Sequence, residues 1–131
     1  MFKLSDTEAK AYSDLRSSKD PKVLKGLEPQ SVARLYIQTL IDFDPETQYT
    51  LYDTESGIDG WSLQEHLEIT RKEGRMSRDV IYNVFVPYSS GEVKINGDEA
   101  VIVYGTGSDL HIFKLRKTSE NIWKVSFLPI Q

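Results

Sequence analysis

Apolar residues recur at spacings of three and four through residues 29–43, where Val32, Ala33, Tyr36, Ile37, Leu40 and Ile41 form one stripe. That period predicts an amphipathic helix with one face in a core. Pro29 suits its first position, because the N–H that proline lacks is one a helix leaves unpaired there anyway. Asp44-Pro45 ends this helix and starts a second, with Asp44 as N-cap and Pro45 in the first turn. The second carries Tyr49 and Tyr52 with Leu51 beside them, and is expected to stop near Asp53, before the turn-rich ESGIDG. A third is predicted over residues 61–73. Ser62 and Glu65 match a capping box, and Leu63, His66, Leu67 and Thr70 share one face. Gly74 suits the left-handed position after its last turn, and Arg71, Lys72 and Arg75 complement the negative end of its dipole.

Ahead of this body, residues 5–15 read as a short helix with another capping box, Ser5 and Glu8. Its apolar content is thin, Ala9, Ala11, Tyr12 and Leu15. A helix this short is marginal alone in water, so it must dock or fray. Residues 17–25, SSKDPKVLK, are polar and are expected to be a linker. The expected organisation is an N-terminal helix and linker over 1–23 and a main domain over 24–131.

From Arg78 onward the period changes to two. Val80, Tyr82, Val84 and Val86 alternate with Ile81, Asn83 and Phe85, which predicts a strand ended by Pro87. Residues 92–95 and 98–104 flank Asn96-Gly97, a hairpin signal that places Lys94 opposite Glu99 and Val93 opposite Ala100. Residues 105–108 form a turn, residues 110–116 the next strand, 119–121 a turn, and 122–128 the last strand. His111, Phe113 and Leu115 share a face, as do Trp123, Val125 and Phe127. The opposite faces carry Lys114, Arg116, Lys124 and Ser126, so one face is expected to pack and the other to be solvated.

The run EPQSVARLYIQTLIDFDPETQYTLYD, residues 28–53, resembles the opening helix pair of the NTF2-like (cystatin-like) superfamily. ENIWKVSFLPI, residues 120–130, resembles its closing strand, and the similarity spans roughly residues 24–131. The chain looks most like small bacterial domains of unknown function within that superfamily. The resemblance implies an α+β fold, with helices in the concave face of a strongly bent four-stranded antiparallel sheet. It also implies a half-open cone that often holds a pocket, and an outer sheet face that often pairs with a second copy. Its members range from isomerases and dehydratases to modules without chemistry, so the fold does not dictate the function.

The chain has 131 residues and no cysteine, which removes disulfides and thiolate chemistry. The formal net charge is −4 with both signs interspersed, against the basic excess of a nucleic-acid binder. The first fifteen residues hold no long apolar run, so no signal peptide or membrane insertion is expected and the chain as given reads as soluble, with its compartment open.

His66 has the chemistry of a general base near neutral pH. Tyr36, Tyr49, Tyr52, Tyr82 and Tyr104 are candidates to line a pocket with it, each needing one polar partner for a buried hydroxyl. Catalytic candidates are His66, Tyr36 and Tyr82. Nearby Asp42, Asp44 and Asp53 all sit at helix ends, where capping and solvation account for them. His111 and His66 lack a third ligand, so neither a metal nor another cofactor is expected. Lys114, Arg116, Lys117 and Lys124 form a basic strip that reads as a solvated sheet face.

These features favour a non-enzymatic NTF2-like module that binds a partner protein or a small ligand. Val101, Val103 and the aromatic last strand would supply a homodimer contact through the sheet. An isomerase- or dehydratase-like enzyme using His66 with Tyr36 or Tyr82 is the alternative, and it requires a real cavity with His66 facing it. A surface-anchored accessory domain is a third reading.

Overall fold

The computed structural model describes residues 2–54 and 62–130. ESGIDG and Trp61 lie outside the described residues. The fold is α+β. Helices α1 (Asp6–Ser18), α2 (Pro29–Asp42), α3 (Pro45–Thr50) and α4 (Leu63–Glu73) come first. A short α5 (Arg78–Val80) leads through a π turn and a 3-10 turn into strands β1 (Glu92–Asn96), β2 (Glu99–Thr106), β3 (Asp109–Lys117) and β4 (Trp123–Ile130). The strands form an open antiparallel sheet in the order β1-β2-β3-β4. No helix among the described residues is long and apolar enough to cross a membrane.

Helix α2 forms as its pattern requires. Val32, Ala33, Leu35 and Ile37 are fully buried, each large aliphatic contributing roughly 1.5–3 kcal/mol. Phe43 adopts a left-handed conformation at its end, and Asp44 then caps α3 by accepting from the Thr47 amide. The Tyr36 ring packs edge-on against Phe113 of β3 at 5.7 Å, which seats α2 on the sheet. The inner sheet face buries Ala100, Ile102, Phe113, Leu115 and Val125 against the helices.

The N-terminal helix docks on the same core. Ala11, Tyr12 and Leu15 are buried. Glu8 completes the capping box with Ser5 and also accepts from Ser31 and Arg34 of α2, each at 2.9 Å. Tyr12 donates to Asp42 at 2.8 Å, and Arg16 reaches Asp44 at 3.1 Å. The stretch expected to be a linker carries a 3-10 turn, Pro21–Leu24, whose Leu24 is fully buried.

Three expectations are corrected. Residues 78–86, expected as a strand, are helical. Ser77 caps α5 through the Val80 amide, and Ile81–Phe85 form a π turn in which Val86 donates to the Ile81 carbonyl. Ile81 and Tyr88 are buried, and Phe85 packs on Tyr36 between them, so the inward residues follow a helical spacing while Val80 and Val84 stay exposed. Tertiary packing overrides the β-propensity of the valines.

The first hairpin turns at Gly97-Asp98, with Asn96 opposite Glu99. Lys94 therefore faces Val101 and Val93 faces Ile102, each partner two residues beyond its expected place. Gly97 has φ 63°, which glycine tolerates at the first central position of a type II′ turn. Because the shift is two residues, the same side chains keep the same faces.

The basic strip is only partly a solvated face: Lys114 is exposed as expected, but Lys124 is not. Segment 51–53 runs beside β4, with Tyr52 bridged in parallel to Val125, and it covers Lys124. Lys124 is 8% exposed and donates to the Thr50 carbonyl at 2.6 Å. Arg116 lies 3.7 Å from the buried Asp53 carboxylate. Lys117 sits on the other sheet face, over the Trp123 ring at 5.4 Å.

Candidate functional site

A cavity of about 430 Å³ opens between α2, α3, α4, the π turn and the end of β4. Its walls are mainly apolar, with Leu40 and Phe43 on one side, Ile69 and Met76 on another, and Phe85 and Ile130 towards the sheet. Register slips between Phe113 and Leu115 of β3, so that Ile130 pairs with Phe113 and Val125 with Leu115. The extra residues of β4 carry Pro129 and Ile130 to the cavity wall.

The floor is a chain of hydrogen bonds. Tyr36 and Tyr52 meet hydroxyl to hydroxyl at 2.9 Å. Gln48 donates from Nε2 to the Tyr52 oxygen at 3.4 Å, and its Oε1 lies 3.1 Å from His66 Nε2. All four side chains are at most 8% exposed. In that amide orientation Oε1 accepts, so His66 donates from Nε2. The Tyr49 and Tyr52 rings hold the imidazole from two sides, with centroids 5.7 and 5.6 Å away.

Burial sets the protonation states. It pushes the His66 imidazolium below the ordinary 6.5, against an opposing hydrogen bond with the Pro45 backbone, so the ring is neutral near pH 7. Burial raises both Tyr36 and Tyr52, keeping their hydroxyls protonated. Burial also acts to raise Asp44, but hydrogen bonds from Thr47 and the charge of Arg16 outweigh it and hold the carboxyl low.

The structure gathers Tyr36, Tyr52 and His66 at one cavity and sets Tyr49 against the back of His66. Tyr82 lines a different cleft with Ile41 and Arg75, under the Arg78 guanidinium. Tyr104 is exposed on β2, with its ring 6.2 Å from that of Tyr88. Neither reaches His66's cavity, because residues 78–86 coil instead of extending and β2 carries Tyr104 towards the hairpin end. Of the aspartates, Asp44 lines the cavity while Asp42 bonds Tyr12 and Asp53 faces Arg116. His111 is exposed, 3.1 Å from Asp109. Among the described residues no group of three or more His, Cys, Asp or Glu side chains is placed to hold a metal ion.

Gln48 is the residue that sequence reasoning missed. Its signal is the spacing of four to Tyr52, which puts both on one side of a helical turn. A second cleft, about 440 Å³, lies between the start of α2 and the sheet, with Lys117 and Trp123 in its wall. Among the described residues it shows no comparable buried polar chain.

No protein-family model matches this chain, and no curated protein or solved structure shows significant similarity to it.

Proposed function

We propose that this chain is a non-enzymatic, NTF2-like module that binds a small molecule in the cavity floored by Tyr36, Tyr52, Gln48 and His66. The NTF2-like reading is supported by the order of elements, helices followed by four sequential antiparallel strands, and by α2 packed on one sheet face. The binding reading is carried by one observation. Apolar walls enclose a volume suited to a small ligand, above a few convergent polar groups.

The non-enzymatic reading is favoured over the isomerase- or dehydratase-like one by the partner of His66, although His66 does line a cavity. General-base histidines are commonly oriented by a carboxylate that stabilises the cation formed on proton transfer. Here Nε2 is held by the neutral amide of Gln48.

Thermal-shift screening of a mixed metabolite library tests the reading. The wild-type protein is expected to gain stability with a subset of compounds, by ligand linkage. The cavity-filling variant Ile69→Trp is expected to fold and lose those gains. Equal gains in both proteins would place binding elsewhere.

A homodimer through the outer sheet face is a companion reading. There Val101 and Val103 of β2 lie beside Ile112 of β3, all half-buried and on the face away from Phe113. Sedimentation showing monomer alone at high micromolar concentration would remove it.

A further inference from the structure

We propose that the cavity selects uncharged, mainly apolar molecules with one polar end, and rejects carboxylates and phosphates of the same shape. This inference rests on the ligand-binding reading above.

No lysine or arginine lines the cavity among the described residues. Its charged lining residues are Asp44 and Glu73, both carboxylates. The nearby cations are already engaged. Arg16 is drawn to Asp44 and Asp42, and Arg75 donates to the Ile41 carbonyl. An anion brought inside would lose its water and meet the carboxylates of Glu73 and of Asp44, whose counter-charge Arg16 is already engaged, with no cation among the described lining residues to pair with it. Burial of an unpaired ion is far more costly than burial of a neutral polar group that gains one hydrogen bond.

The floor supplies that one bond. Two tyrosine hydroxyls carry two protons, and the bond between them uses one. Running the donors in one direction, from His66 to Gln48 to Tyr52 to Tyr36, leaves the Tyr36 O–H for a ligand oxygen. Tyr36 lines the cavity, so a ligand's polar end is met by a neutral donor while its body contacts Leu40, Ile69 and Phe85.

The test uses two probes of one shape, 2-naphthamide and 2-naphthoate, with the parent naphthalene, titrated at pH 7.5 and followed by two-dimensional amide NMR. The amide is expected to bind at least about tenfold more tightly than the carboxylate, reflecting the unpaired-charge penalty. Shifts should centre on Tyr36, Gln48, His66 and Ile69. Tyr36→Phe should weaken the amide and leave naphthalene unchanged. The wild-type ratio decides the matter even if that variant folds poorly. Naphthoate binding in the cavity as tightly as the amide would overturn the selectivity while leaving ligand binding intact. If none of the three probes moves the cavity amides, the binding reading falls and the selectivity with it.

Discussion

The hydroxyls of Tyr36 and Tyr52 lie 2.9 Å apart, joining α2 to the segment just past α3 inside the core. Each ring is otherwise held by aromatic packing, Tyr36 by Phe85 and Phe113, Tyr52 by His66. Removing one hydroxyl leaves its partner buried with a lost bond, at about 1–3 kcal/mol. Tyr36→Phe and Tyr52→Phe are each expected to lower stability in urea denaturation. The double variant should lose less than the sum, since the bond can be lost only once. Strict additivity would mean that the hydroxyls do not interact.

Stability should fall on mild acidification through His66. Its folded-state value lies below 6.5, so the unfolded chain binds the proton more readily. The contribution is full above pH 6.5 and is lost as pH falls from there towards the folded value. Glu8 and Asp44 are also lowered, from 4.5 and 3.8, so their contributions are lost in a more acidic window. Urea midpoints should decline between pH 7.5 and 5.5 in the wild type and stay flatter in His66→Gln. Parallel declines in both proteins would assign the effect to other groups.

Glu8 ties α1 to α2. Burial alone would raise its carboxyl, but the Ser5 amide, Arg34 and Ser31 together hold it ionised. Glu8→Ala should destabilise the protein by about 1–3 kcal/mol, because it takes the acceptor from the Ser31 hydroxyl and from Nε of Arg34, whose other nitrogens still reach the Lys3 and Ser89 carbonyls. Glu8→Gln should cost less, since glutamine still serves a capping box. Hydrogen exchange should show protection across residues 6–18 lost first in the alanine variant. Unchanged protection there would show that the apolar contacts of Tyr12 and Leu15 suffice.

Gly105 pairs with Leu110 at φ 106°, and a Cβ there would come within 2.1 Å of the Asp109 carbonyl oxygen. Gly105→Ala is expected to destabilise by about 1–3 kcal/mol through backbone strain. A thermal midpoint unchanged from wild type would contradict this.

The helices were legible because each signal is local. The stripe of α2, the caps Ser5, Asp44 and Ser62, and Gly74 after α4 all act within a turn or two of their own position. Residues 78–86 were not legible, because two patterns coexist there. Alternating valines indicate a strand, while Ile81, Phe85 and Tyr88 follow a helical spacing, and burial against Tyr36 decides between them. Lys124 looked solvated because nothing near it in sequence announces that segment 51–53 will lie over it. For the site, residue chemistry pointed to Tyr36, Tyr49, Tyr52, His66, Tyr82 and Tyr104, of which Tyr36, Tyr52 and His66 line the cavity while Tyr82 and Tyr104 lie away from it. It missed Gln48, which carries no charge and is polar for a reason visible only once His66 lies beside it.

The most direct test of the central claim is a two-dimensional amide NMR spectrum recorded with and without the stabilising compounds of the metabolite screen. The account predicts shifts concentrated at Tyr36, Gln48, His66, Ile69 and Phe85, around one cavity. Shifts confined to the outer sheet face around Val101 and Val103, with the cavity amides unmoved, would contradict it.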